Sequence, residues 1–411
     1  MGRRIPALPS VRFAAGTLPA RVTPRAAARR TDETESMRIY WYWPFAREED
    51  IELARATPGP NDSLTVHALD RPGAPRESTA RVTIRADLPD VAARAEGSPR
   101  WLASRARTYA ARARARRDAV RAGGFDVAHV AFLNQYTDIV ELRRLARRVP
   151  IVTTVHDVLP HQSRLPAAVQ HRVLATLYAA CGTIVVHHED VGAELHERFG
   201  IPDHRIHVVP HWVSPHRDRD DRRTLGAHPT VLCFGTLRRN KGIPELLTAI
   251  ERIGPDAGIR FRIAGRGDAD LEAAVTAAAD RLPQLDAEIE WITPERKIEL
   301  FRTADLAVLP YTAFSSQSGV LHDAFGSHLP AVVTDVGALP ASVARTGAGW
   351  SVPAGSVDAL ADAITTALRD PEAWQRAADG ARAVAIDQAP DRVGAALRAV
   401  YEVARTADRP G

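Results

Sequence analysis

Residues Val231-Leu-Cys-Phe-Gly235-Thr-Leu-Arg238-Arg-Asn-Lys241-Gly242-Ile-Pro-Glu-Leu-Leu247 pass from an apolar run of strand length, through a glycine turn and a basic loop, into the start of a helix. Of the 54 lysines and arginines in the chain only Lys241 and Lys297 are lysine, and Lys241 stands at this junction. Folds of alternating strands and helices bind phosphate at such places, because the unpaired N–H groups and the dipole of the helix already point outward. An ordinary surface loop can also hold a lysine, so the neighbouring segments decide between the two readings.

The alternation extends in both directions. From residue 37, candidate strands 38–43, 64–69, 126–132, 151–155, 183–187 and 206–209 are separated by helical stretches 47–56, 100–121, 136–148, 167–180 and 189–199. Residues 213–228 are polar, nearly free of apolar side chains, and read as a linker. Beyond them, strands are expected at 230–235, 259–264, 288–292, 305–309 and 331–334, with helices at 243–252, 269–281, 295–303, 319–327 and 357–369. Short Val/Ile-rich runs separated by helices predict parallel sheets covered on both faces. The 411 residues exceed what one compact core holds. The expected fold is α/β, with two Rossmann-like doubly wound domains facing a cleft. They are residues 37–212 and 213–390, followed by a helix at 391–411. Glycine-rich turns after strands (Gly235, Gly265-Arg-Gly267, Gly337) make the second half the better candidate for a phosphate site.

Composition narrows the function classes. The net charge of +4 is carried by residues 1–36, where seven arginines oppose Asp32, Glu33 and Glu35. The remainder is neutral overall, which argues against a nucleic-acid partner. This leader lacks periodicity, reads as disordered, and leaves Met37 as the natural start of the folded chain. Cys181 and Cys233 lie in apolar stretches without ligand spacing, as expected in a reducing compartment. No apolar run reaches the roughly 18 residues of a membrane span. The expected location is cytoplasmic. Helix 100–121 carries eight arginines against Asp118 alone. It is either a solvated basic face or a peripheral contact with an anionic inner membrane face.

A second constellation lies at Pro310-Tyr-Thr-Ala-Phe-Ser315-Ser-Gln317-Ser318-Gly319-Val320-Leu-His-Asp323. Ser318 is a good N-cap, and the small residues after it let an anion reach the free N–H groups of the helix start. Asp323, one turn further in, faces the same mouth, where a carboxylate can hold sugar hydroxyls. Asp268-Ala-Asp270 opens a helix where acids favour the dipole, so its reading is structural. His187, His188, His196, His204 and His207 show no metal-ligand spacing, and no metal site is expected.

These segments together resemble the retaining glycosyltransferases of family 4, which have the GT-B fold. The resemblance runs through Gly235-x-x-Arg238-x-x-Lys241-Gly242, Ala304-Asp305, Asp323-Ala324, Gly326-x-x-x-Pro330, Asp335-x-Gly337 and Gly347-x-Gly349-x-x-x-Pro353. Thr154-Val-His156-Asp157 and Val208-Val-Pro210-His211 add to it in the first half. It implies a transferase that moves a sugar from a nucleotide sugar to a glycan, lipid or small-molecule acceptor without cofactor or metal. By resemblance Arg238 and Lys241 hold the diphosphate and Gly235, Thr236 and the 318–320 backbone cradle it. Asp323 takes the ribose, and His156 stands across the cleft. Asp157, Ser315 and Gln317 fall on the sugar or acceptor side, and the last helix packs back on the first domain. The family's two glutamates eight apart are Ser315 and Asp323 here, and its glycine pair after the first strand is replaced by Pro44-Phe-Ala-Arg47-Glu48-Glu49. A sugar-nucleotide epimerase on the same scaffold and a non-catalytic nucleotide-sugar binder are the rival readings.

Overall fold

The computed structural model describes residues 36–47, 50–90, 99–159, 165–313 and 318–407. The leader up to residue 35, Ser315 and Gln317 lie outside the described residues.

The first half contains β1 (Arg38–Tyr42), α1 (Ile51–Ala56), β2 (Ser63–Leu69), β3 (Val82–Leu88), α2 (Pro99–Gly123), β4 (Val127–Val130), α3 (Asp138–Ala146), β5 (Ile151–Val155), α4 (Ala167–Ala180), β6 (Thr183–Val186), α5 (Glu189–Phe199) and β7 (Ile206–Val208). The second contains β8 (Thr230–Phe234), α6 (Ile243–Ile253), β9 (Arg260–Ala264), α7 (Ala269–Arg281), β10 (Leu285–Glu288), α8 (Pro294–Thr303), β11 (Leu306–Leu309) and α9 (Gly319–Gly326). It continues with β12 (Ala331–Thr334), α10 (Leu339–Thr346), β13 (Gly349–Val352), α11 (Val357–Arg369), α12 (Pro371–Asp387) and α13 (Pro390–Thr406).

Two sheets result, in the orders β3-β2-β1-β4-β5-β6-β7 and β10-β9-β8-β11-β12-β13, with every pairing between these strands parallel. The inner strands β4, β5, β6, β11 and β12 are buried at every residue, as sheets covered on both faces require. Helix α6 shows the complementary pattern, burying Ile243, Leu246, Ala249 and Ile250 at helical spacing against its sheet. The strand order reverses between β1 and β4 in one sheet and between β8 and β11 in the other. In open sheets of this type the crevice for ligands opens beyond the carboxyl ends at such a reversal.

Helix α13 packs against α1 and places Val393, Leu397, Val400 and Tyr401 in the core of the first sheet. Tyr401 takes part in a buried chain there. Trp41 Nε1–H donates to its hydroxyl at 2.6 Å, and the hydroxyl lies 2.7 Å from His129 Nδ1. His129 Nε2 lies 2.8 Å from Thr154 Oγ1. The last helix is thereby tied to β1, β4 and β5.

Four expectations need correction. The polar segment 213–228 is packed rather than loose. Val213 is buried with its N–H on Gln388 O, and Arg223 is buried while donating to the carbonyls of Phe301, Ser327 and Ala304. Polar side chains here close off carbonyls around α8 and α9, so low hydrophobicity does not mean a free linker. Helix α2 is more than a solvated basic face. Its inner face carries Trp101, Ala119 and Val120 with buried Arg112 and Arg116. Arg116 meets buried Asp138 at 2.7 Å and lies over the Tyr42 ring, while Arg112 donates to Pro89 O. The strand expected at 288–292 lies at 285–288. Finally β3, β13, α10 and α12 escape the sequence reading, because β3 is an edge strand with exposed Thr83 and polar Arg85 and Asp87, and α12 is alanine-rich.

Candidate active site

The reversal between β8 and β11 assembles the second half's site. Gly235 ends β8 with φ 119°, and a Cβ there would lie 3.5 Å from Val320 in the first turn of α9. Gly242, at φ 68°, lets the Lys241 loop turn directly against the next strand, since a Cβ would overlap Pro310 O at 1.8 Å. Lys241 is half-buried, with Nζ 3.5 Å from the centroid of the Tyr311 ring. The Tyr311 hydroxyl lies 3.4 Å from Ser318 Oγ, the residue before α9. Lys241, Tyr311, Ser318, Gly319 and Val320 therefore form one continuous wall. Burial pulls the Lys241 ammonium down to about 8, with the nearby Arg238 charge acting the same way. Arg238 and Thr236 are both exposed on the loop beside it.

Asp323, one turn into α9, accepts from Lys297 Nζ at 3.2 Å, and His216 Nε2 lies 3.3 Å from the same oxygen. Burial works against the carboxylate, yet the His216 contact and the Lys297 charge hold it below the usual range. Both lysines of the chain thus stand at this wall. The second one was visible in the sequence but had no partner until the fold brought α8 beside α9.

The reversal between β1 and β4 makes the opposing wall. A chamber of about 390 Å³ lies beyond these strand ends, lined by Trp43, Phe132, His156, His187, His211 and Trp212 among others, and also by Gly319 and His322 of α9. Rings stack across it. Phe132 stacks on His156 at 4.8 Å, His187 meets both His156 and His211 at 5.0 Å, and His211 stacks on His322 at 4.5 Å. The last pair joins the two halves, as does Arg345 Nη2 donating to His188 Nδ1 at 3.1 Å. His187 Nδ1–H donates to Val209 O at 2.9 Å. Burial keeps these imidazoles neutral, with His156 and His322 pushed down to about 4 and His187 to about 3. His156 can orient or accept a proton but carries no standing charge. Asp157 follows it, half-buried, at the end of β5.

Sequence reading brought Gly235, Thr236, Arg238, Lys241, Ser318, Gly319, Val320 and Asp323 to one region and His156 and Asp157 to the facing one. It missed Lys297, His216, His211, His322 and Trp212. Their isolated positions carried no pattern, apart from His211 at the end of the Val208-Val-Pro210-His211 segment. Asp268 and Asp270 are structural, the first preceding α7 and the second paired with Arg239 at 2.6 Å.

Two family models match the chain. Residues 51–217 fit Glycosyltransferase Family 4, and residues 228–370 fit Glycosyl transferases group 1. Together they span about three quarters of it. The chain is a family 4 glycosyltransferase. The transferase is 27% identical over 305 residues to a glycogen synthase of Mycobacterium tuberculosis, covering 72% of this chain and 70% of the relative. Its fold matches sucrose-phosphate synthase from Thermosynechococcus elongatus with a TM-score of 0.66 at 15% identity, over 89% of this chain and 98% of the other. It also matches Anabaena HepE in complex with UDP, with a TM-score of 0.59 at 16% identity over 91% and 99% of the two chains. The GT-B architecture of the transferase follows from the two facing parallel sheets and these neighbours.

Proposed function

We propose that the transferase moves a sugar from a nucleoside diphosphate sugar to an acceptor hydroxyl, with retention at the anomeric carbon and no metal ion. The observation that carries this reading is the meeting of Lys241 with the first turn of α9 at the β8/β11 reversal, opposite the chamber of the first sheet. Negative charge grows on the diphosphate as the glycosyl bond breaks. A desolvated ammonium, the exposed Arg238 guanidinium and the N–H groups of residues 318–320 form a wall suited to stabilise it. Gly235 and Thr236 let the phosphates approach. Asp323, held ionised by Lys297 and His216, is suited to ribose hydroxyls. His156, with Asp157 beside it, faces the transferred sugar. The solved complex of HepE with UDP-glucose supports the donor class.

Each charge-assisted bond contributes roughly 1.5–3 kcal/mol, so Lys241→Ala should slow transfer by about one to two decades. The test measures UDP, GDP and ADP for thermal stabilisation of the protein, and slow donor hydrolysis with and without EDTA. A donor that stabilises the protein and is hydrolysed equally in EDTA, with Lys241→Ala folded but slowed by about one to two decades, is the expected result. Full activity in that variant defeats the assignment, and product analysis by NMR coupling decides retention against inversion. Epimerised donor appearing without acceptor would favour the rival reading.

No helix among the described residues is long and apolar enough to cross a membrane. Arg100, Arg107, Arg114 and Arg121 recur every seven residues on the exposed side of α2. That stripe supports a cytoplasmic enzyme resting on an anionic membrane face. Co-sedimentation with phosphatidylglycerol vesicles but not phosphatidylcholine vesicles is the expected outcome.

A further inference from the structure

The chamber beyond β1 and β4 has an uneven distribution of chemistry. Its deep wall is apolar, built from Trp41, Leu53, Val185, Val393 and Leu397. Phe132, Trp43 and Trp212 add flat faces to it. Much of the polar lining is already committed inside the protein. Both nitrogens of His129 are engaged by Tyr401 and Thr154, and both nitrogens of His187 by Val209 and His156. His211 Nδ1 is bonded to Trp212 O at 2.9 Å. Of the charged lining, Asp50 accepts from the Arg47 backbone N–H and Arg71 donates to Phe45 O, both at 2.8 Å. His322, beside Gly319, brings imidazole chemistry to the α9 end, next to the donor wall.

A sugar chain placed here would bury many hydroxyls against the apolar deep wall and against imidazoles already bonded inside the protein, and each unmatched hydroxyl is costly. A ligand with one hydroxyl and an apolar body matches both ends. Resting on the transferase reading above, we propose that the acceptor is a compact, lipophilic, ring-bearing alcohol or phenol. Its hydroxyl points to His322 and Gly319, and its body lies among Trp41, Val393 and Leu397. Two of those residues come from α13, so the last helix contributes directly to acceptor choice. The volume of about 390 Å³ falls within the range of enclosed small-molecule sites.

The experiment uses the full chain with a donor that hydrolysis has shown to be accepted. 2-Naphthol, menthol, maltotriose and myo-inositol 1-phosphate are compared by kcat/KM and by quenching of tryptophan fluorescence in the absence of donor. The expected result is saturable quenching and glycoside formation with 2-naphthol or menthol, at least tenfold better than with the two polar probes. Leu397→Trp, which fills the apolar end, should lower kcat/KM for the lipophilic probe by roughly tenfold or more while stabilisation by nucleoside diphosphate persists. If that variant fails to fold, Phe45→Ala at the exposed mouth replaces it, with a raised KM expected for the lipophilic probe alone. Maltotriose or inositol phosphate equalling or exceeding the lipophilic probes, with nucleotide stabilisation intact, overturns the acceptor class. Absence of any nucleotide stabilisation or donor hydrolysis overturns the transferase reading itself.

Discussion

Replacing Lys241 by methionine should make the protein more stable and less able to bind a nucleoside diphosphate. The ammonium sits 3.5 Å from the Tyr311 ring centroid, and burial lowers it from an ordinary 10.5 to about 8. In a dry site that drop corresponds to about 3 kcal/mol against the charged form, and solvent access to this half-buried side chain cuts it to about 1–2 kcal/mol. Methionine keeps the apolar stem over the ring and removes the penalty, so urea denaturation at pH 7 should show a gain of about 1–2 kcal/mol. Binding moves the other way, since the lost contact to phosphate is worth roughly 1.5–3 kcal/mol, or about one to two decades in Kd. The pH dependence supplies a second reading. Between about 8 and 10.5 the unfolded chain holds a proton that folded Lys241 has released. Wild-type stability therefore gains a rising contribution across that window while diphosphate affinity falls. The methionine variant should lack both trends. A variant that is less stable than wild type and binds UDP or GDP equally well would refute the assignment.

Three further outcomes are expected. Tyr401→Phe leaves buried Trp41 Nε1 and His129 without their shared hydroxyl, and urea denaturation should show a loss of about 1–3 kcal/mol; an unchanged midpoint would mean the chain of bonds contributes nothing. Acid should destabilise the protein early. Burial lowers His156 and His322 to about 4 and His129 and His187 to about 3, so below pH 6.5 the unfolded state binds more protons and stability falls steadily towards pH 4. Thermal unfolding that is flat between those values would contradict the neutral histidine column. Asp323→Asn removes the carboxylate that Lys297 and His216 converge on, and should weaken nucleoside diphosphate binding by roughly tenfold or more. Titration calorimetry with UDP and GDP checks it, and unchanged affinity would remove Asp323 from the donor site.

The sequence alone determined the α/β alternation and most strand positions, because buried parallel strands are short Val/Ile runs that need no partner to be recognised. It also marked the two helix starts around Lys241 and Ser318, since local backbone geometry at a strand-to-helix junction is set by glycine, N-cap and small residues within a few positions. Edge strand β3 and alanine-rich α12 escaped because neither has the local contrast that such a reading uses. The supposed linker misled for the opposite reason: Arg223 and His216 are polar by composition and buried or bridging by position. Only the tertiary structure decided which charges meet. Lys297 reaches Asp323 because α8 and α9 pack side by side, and His211 stacks on His322 because the segment after β7 meets α9 across the two halves. The acceptor chamber likewise has no sequence signature. Its wall is gathered from β1, α1, the ends of β4, β5 and β6, the segment after β7, α9 and α13, and these separated stretches become one surface only when the sheet order and the returning last helix bring them together.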